Sequence, residues 1–351
     1  MIVRNEERCL ARCLESVRGL VGRIIIMDTG STDQTIAIAA SYGAEVHRME
    51  WPDSFASARN AALDKSDADW NLVLDADEWL VSGQDALGPR MLPPKSVAAP
   101  AFVGCVQITE AEAKEGEARR RSFIPRILPK GVRYQGKIHE QPIAALPHTL
   151  VPMHVGHDGY DAAQLQHKAG RNEQLLLDEI ENSPSDAYLW YQLGRQYLMT
   201  GNTSEAANRL ATSYNISNSD TPFRHGIIIY TILALRWAGR YDEALSLVDC
   251  EQDNWDDSPD FYFAIAELYL EWAGRNLEIA QDELLPVVEA AWLKCLQIGE
   301  KPLLNGSVEG SGSYRAADNL SNFYKVFGQT DKAAQYAQIA SSTRQGAVAA
   351  L

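Results

Sequence analysis

Between Val73 and Leu80 the chain reads V-L-D-A-D-E-W-L, which puts Asp75, Asp77 and Glu78 within four positions at the end of an apolar run. An i, i+2 pair at a strand end presents two carboxylates on one side of the pleat. Left alone they repel, and the pKa of one rises. A hard divalent cation such as Mg²⁺ or Mn²⁺ relieves that repulsion. It takes few protein carboxylates and completes its shell with water and phosphate oxygens. A capped or solvated turn is the competing reading of the same residues. The context favours the cation, because a second β-branched run, R-I-I-I-M-D, also ends in a carboxylate, Asp28.

The elements needed to bring these groups together can be read from periodicity. Met1–Val3 ends an apolar run, and a helical pattern follows to about Gly19. Residues 23–28 read as a strand, G-S-T-D caps a helix that stops near Gly43, and 44–50 alternate as a strand. Asp53 or Ser54 then caps a helix through F-A-S-A-R-N-A-A-L, and 70–75 read as another buried strand. This βαβαβ order predicts a parallel sheet with right-handed crossovers. Ligands of such sheets bind beyond the carboxyl ends of the strands, where Arg4-Asn5-Glu6, Asp28-Thr29-Gly30-Ser31 and Asp75-Ala76-Asp77-Glu78 would converge. Neither a G-x-G-x-x-G fingerprint nor a P-loop is present.

Further on, 88–96 read as a loop and 102–109 as a strand, with a charged excursion over 110–121. The arginines 119–121 in it are either a phosphate contact or solvated. Two strands joined by Pro129-Lys130-Gly131 follow, and H-V-G-H-D-G-Y (154–160) closes this half. From about residue 165 the pattern is helical and repetitive. W-Y-Q-L-G-R-Q-Y (190–197) has tetratricopeptide spacing, and turn-plus-helix patterns recur at 236–245, 271–280 and 323–334. Ala206, Ala244, Ala280 and Ala333 are the small packing residues. The expected division is therefore residues 1–165 and 166–351.

The formal charge of −15 argues against general nucleic-acid binding. It is uneven, with 18 Lys/Arg against 22 Asp/Glu in residues 1–165 and 14 against 25 in 166–351. The five scattered cysteines form no CxxC pair and read as small buried residues in a reducing compartment. No apolar run approaches the ~20 residues of a membrane span, and no secretory pattern opens the chain, so a cytoplasmic location is expected.

I-V-R-N-E-E (2–7), M-D-T-G-S-T-D (27–33), W-P-D-S-F-A-S-A-R-N-A-A-L (51–63) and D-W-N-L-V-L-D-A-D-E-W-L (69–80) resemble the nucleotide-binding half of family 2 glycosyltransferases of GT-A fold. Y-Q-G-K-I-H-E-Q (134–141), H-D-G-Y (157–160) and R-N-E-Q-L-L-L (171–177) are similar to a subgroup fused to a tetratricopeptide domain, which includes bacterial peptide glycosyltransferases of the glycosylated-bacteriocin type.

The resemblance implies an α/β GT-A domain, Rossmann-like with a mixed, mostly parallel sheet, followed by an all-α repeat domain. It implies an inverting transfer of a hexose from a UDP-sugar to a peptide or protein side chain, with Mn²⁺ or Mg²⁺. Val3, Asn5 and Glu6 would line the uridine pocket, and Asp28 would bond base or ribose. Arg59 would orient Asp28 or Asp75, or touch the nucleotide. Asp75 would face ribose or metal through water, and Asp77 would bind the metal directly; Glu78, by its position alone, reads as no more than a cap of the next turn. His157, with His154 as alternative, is the third metal ligand. The acceptor base is Glu140 or His139, where the family pattern has an acidic pair. The helical repeats would present the acceptor or pair two chains. The family usually has further apolar residues before I-V-x-N-E-E, so the first strand is expected to be short, as in a chain with a truncated start. Two other readings compete: a transferase building a polysaccharide or lipid-linked glycan, and a non-catalytic nucleotide-sugar-binding scaffold.

Overall fold

The computed structural model describes residues 1–88, 92, 101–110, 120–157 and 162–349. Most of the expected loop at 88–96, the excursion at 111–119 and residues 158–160 of H-D-G-Y lie outside them. The chain divides into two compact units, the first holding Met1–Glu117 and Arg121–Asn182, the second Ala118–Arg120 and Ser183–Leu351. The boundary thus follows Asn182, later than the expected 165, because helix 162–182 packs with the first unit.

The first unit opens as the alternation predicts: β1 (Ile2–Val3), α1 (Leu10–Ser16), β2 (Ile25–Asp28), α2 (Thr35–Ser41), β3 (Glu45–Arg48), α3 (Phe55–Leu63) and β4 (Trp70–Leu72). Strands β1, β2 and β3 form a parallel sheet in that order, with Val3 opposite Asp28. Ser54, not Asp53, caps α3, its side chain accepting from the Ser57 N–H at 3.2 Å.

The strand at 70–75 departs from expectation. It ends at Leu72 and pairs antiparallel with β7 (Arg121–Pro129) instead of extending the parallel sheet. With β5 (Glu78–Ser82), β6 (Val103–Glu110) and β10 (His148–His157) it builds a mixed five-stranded sheet ordered β4-β7-β6-β10-β5. A small hairpin, β8 (Arg133–Gln135) with β9 (Gln141–Ile143), and helix α4 (Ala162–Asn182) complete the unit. Leu74, Val106, Ile127 and Val155 are buried in the core of this sheet. Gly156 is required where β10 passes β5, since a Cβ there would lie 2.6 Å from the Trp79 indole.

The second unit holds the predicted helical hairpins. These are α5 (Ala187–Met199) with α6 (Thr203–Ile216), α7 (Arg224–Trp237) with α8 (Tyr241–Glu251), and α9 (Pro259–Arg275) with α11 (Leu285–Ile298). The last pairs α12 (Tyr314–Val326) with α13 (Thr330–Ala349). The third hairpin starts its second arm irregularly, through α10 (Leu277–Ile279) and a π turn at Ala280–Leu284. Gly194 allows α5 and α6 to meet, because a Cβ there would stand 2.5 Å from Leu210 Cγ. All four predicted alanines are buried. Arg120, of the arginine run, groups with this unit.

Candidate active site

The loops after β1 and β2 are joined by side chains that bond backbone. The Asn5 N–H donates to Ser31 Oγ at 3.0 Å, and Asn5 Oδ1 accepts from the Thr32 N–H at 2.8 Å. Asn5 adopts φ +57°, one of three non-glycine residues among those described with positive φ. The Glu6 N–H reaches Thr35 Oγ1 at 2.7 Å, and the Thr29 N–H reaches the Val3 carbonyl at 3.0 Å. Asp28, 2% exposed, accepts from the backbone N–H groups of Gly30 and Ser31 at 3.1–3.3 Å. Asp28 was expected to bond base or ribose directly. Its carboxylate also braces its own loop.

Asp75 sits at the centre of a buried ionic network. Arg59, rising from α3, places one guanidinium nitrogen 2.7 Å from Asp75 Oδ1, and Arg126 of β7 places another 2.9 Å from Oδ2. Burial alone would raise the Asp75 pKa. The two guanidiniums outweigh it and hold the carboxyl well below the usual range. Glu78, 3% exposed, binds Arg126 at 2.5 Å and accepts from the Asp75 N–H at 3.0 Å, while its own N–H returns to the Asp75 carbonyl at 3.1 Å. Burial pushes the Glu78 carboxyl up despite Arg126. Arg59 also donates through Nε to Glu140 and lies under the Tyr134 ring. Asn60 ties α3 to β8 through both backbone groups of Tyr134, at 2.8 and 2.9 Å.

Both oxygens of Asp75 are held by arginines, which makes Asp75 the hub of the ionic network. Glu140, expected as a candidate base, is the ion-pair partner of Arg59. His139 beside it is half-buried at φ +50°.

Asp77 and His157 do come together. His157 Nε2 lies 3.5 Å from Asp77 Oδ2, each side chain 18% exposed, and His157 ends β10 opposite Glu78 of β5. Burial would lower the His157 pKa, but its bond to Asp77 and the neighbouring carboxylates raise it. The alternative, His154, has its pKa lowered by burial, and its Nε2 is buried without a partner among the described residues. No group of three His, Cys, Asp or Glu side chains suited to a metal exists among the described residues. Asp77 and His157 still fit as a two-donor set, since Mg²⁺ and Mn²⁺ are commonly held by one or two protein ligands plus phosphate oxygens and water.

Sequence reasoning missed Arg126 and Tyr134. The signal for Arg126 was available: a lone arginine inside the apolar stretch F-I-P-R-I-L demands a buried carboxylate. A cavity of about 440 Å³ in this unit is lined by Ile24, Ile25, Trp70 and Leu72 and also by Arg59 of the ionic network. Met1 reaches it too; its ammonium donates to the Ile25 carbonyl at 2.9 Å, and burial, then Arg59, lowers its pKa to about 6. That space is mostly apolar, and Asp77 does not line it. The four cysteines Cys9, Cys13, Cys105 and Cys295 are buried, Cys250 is exposed, and all five are free. No described helix is long and apolar enough to cross a membrane.

Residues 1–87 match the model of glycosyl transferase family 2. A TPR repeat-containing protein of Synechococcus elongatus is 33% identical over 261 residues, 70% of this chain and 63% of that one. The SPbeta prophage-derived glycosyltransferase SunS of Bacillus subtilis is 28% identical over 247 residues, 66% of this chain and 56% of that protein. An uncharacterized glycosyltransferase of Rickettsia felis is 38% identical over 80 residues, 23% of this chain and 28% of that one. The chain thus spans about six-tenths of the length of the first two relatives.

Proposed function

We propose, from an amino-terminal domain that belongs to glycosyl transferase family 2 and is fused to a TPR-like helical domain, that the protein is a metal-dependent inverting glycosyltransferase. It moves a hexose from a UDP-sugar to a Ser, Thr or Cys side chain of a peptide or protein. The observation that best supports this is the pairing of Asp77 with His157 next to Asp75, beyond strands whose connecting loops are fixed by Asn5 and Asp28. The loop of Val3, Asn5 and Glu6 binds the uridine side. Arg59 and Arg126 keep Asp75 ionised and oriented, so that the adjoining turn presents Asp77 outward. Asp77 and His157 hold Mn²⁺ or Mg²⁺, which when bound neutralises charge on the departing diphosphate. Removal of the acceptor proton falls to His139, with Glu140 keeping Arg59 in place. The stacked hairpins give the acceptor a surface, or pair two chains.

Calorimetric titration with UDP, with and without Mn²⁺, tests this reading. Expected is metal-linked binding that Asp77→Ala abolishes, with UDP-sugar hydrolysis following the same dependence. A non-catalytic scaffold shows no metal-linked binding. Full activity of Asp77→Ala with the metal chelated would sink the metal assignment.

A further inference from the structure

Arg120 reaches the helical unit from far outside its continuous sequence and is held there in three ways. Its backbone forms an isolated antiparallel bridge with Val308. Its guanidinium lies 4.6 Å from the centroid of the Tyr230 ring. One guanidinium nitrogen stands 3.5 Å from the Gly306 carbonyl. Behind the bridge is Asp260, 4% exposed, whose Oδ1 accepts from the Val308 N–H at 3.0 Å. Its Oδ2 is buried without a hydrogen-bond partner among the described residues. The loop carrying Gly306 and Val308 is firmly set, because Glu300 Oε1 accepts from the N–H groups of Gly310 and Gly312 at 3.0 and 3.1 Å and from Ser313 Oγ at 2.8 Å.

These are the parts of a peptide-recognition slot. A backbone bridge accepts any extended segment without regard to its side chains. The face of Tyr230 together with a carbonyl at its edge selects a planar cation, which arginine supplies and lysine does not. Asp260 anchors Val308 behind the slot, in a unit where residues 166–351 carry 25 Asp/Glu against 14 Lys/Arg. We infer that the slot of Tyr230, Gly306 and Val308 binds an extended, arginine-bearing peptide segment of a partner protein, and that Arg120 is its internal occupant. The inference concerns binding alone and holds whether or not the amino-terminal domain transfers sugar.

The test uses the full chain and a fluorescent peptide, Glu-Ala-Arg-Arg-Arg-Ser-Phe, which copies residues 117–123. A tethered Arg120 competes at an effective concentration on the order of millimolar, so the peptide should bind Arg120→Ala at least about tenfold more tightly than the wild type. Replacing the peptide's central arginine by lysine should weaken binding to that variant about tenfold, by loss of planar stacking. Tyr230→Ala in the Arg120→Ala background should remove binding, and Tyr230→Phe should keep it. If Arg120→Ala does not unfold cooperatively, Arg120→Lys serves in its place. Equal affinity of wild type and variant, equal affinity for the lysine peptide, or no binding to either protein each overturns the proposal. UDP titration of the same variants should be unchanged, which separates failure here from failure of the transferase reading.

Discussion

Replacing Arg126 by methionine tests the ionic network most directly. The side chain is buried and binds two carboxylates, Asp75 at 2.9 Å and Glu78 at 2.5 Å. Asp75 would keep Arg59 at 2.7 Å and some solvent, its side chain being 31% exposed. Glu78, 3% exposed, would keep only the Asp75 N–H at 3.0 Å. Breaking a buried pair by removing one partner costs about 3–5 kcal/mol, and the methionine's added apolar burial offsets roughly 1 kcal/mol of that. A net loss of about 3 kcal/mol in a domain of this size corresponds to a fall of roughly 6–12 °C in melting temperature. Differential scanning calorimetry should resolve the transition. Hydrogen exchange in peptides spanning β5 and β7 should identify the first unit as the one destabilised. Adding Glu78→Gln should recover about 1–2 kcal/mol, because it removes the orphaned charge. If Arg126→Met melts within about 2 °C of the wild type, or the double variant is no more stable than the single one, the network is not holding this turn.

Four further outcomes follow from particular contacts. Arg59→Lys cannot span Asp75 and Glu140 with one ammonium, so UDP binding by calorimetry should weaken about tenfold or more while the fold survives. Gly194→Ala puts a Cβ 2.5 Å from Leu210 Cγ and should cost the helical unit about 1–3 kcal/mol in urea melts; an unchanged midpoint would mean that α5 and α6 separate freely. Burial lowers the His225 pKa to about 4 against an ordinary 6.5, so the unfolded chain binds more protons between those values. The stability it contributes is complete above pH 6.5 and disappears as pH falls toward 4, by up to roughly 3 kcal/mol. His225→Gln should flatten that fall in the helical unit's melt. His157→Ala should abolish the Mn²⁺ enhancement of UDP binding and leave metal-free binding as it was; retained enhancement would remove His157 from the donor set.

Local pattern located the strands, helices and hairpins wherever the period was clean, because burial on one face of an element writes itself into the spacing of its own residues. It could not say which edge a strand would join. W-N-L-V-L-D looks the same whether it extends a parallel sheet or pairs antiparallel with β7. The choice is made by Ile127, Leu128 and Pro129, more than fifty positions away. Nor could spacing place Arg120, whose partners Tyr230 and Val308 lie more than a hundred positions further along the chain.

The same limit explains the three carboxylates of V-L-D-A-D-E-W-L. Their types and spacing announce a shared charge problem, to which a cation is the economical answer for Asp77 and Asp75, with Glu78 a turn cap. The structure divides the problem by depth. Glu78 is fully buried and is answered by Arg126, Asp75 is partly buried and is answered by Arg59 and Arg126 together, and Asp77 faces His157 at 3.5 Å. Two of the three charges are thus neutralised from within the fold. What remains for a divalent ion is a single carboxylate and one imidazole. A site with so few protein donors should bind the ion weakly by itself and tightly only when diphosphate oxygens complete the shell. Affinity for Mn²⁺ alone should therefore be low and should rise sharply with UDP present, a coupling that linkage makes reciprocal and that paired titrations can measure from both sides. Tight Mn²⁺ binding without nucleotide would show that Asp75 leaves its arginines to join Asp77, and would return the network to the cation.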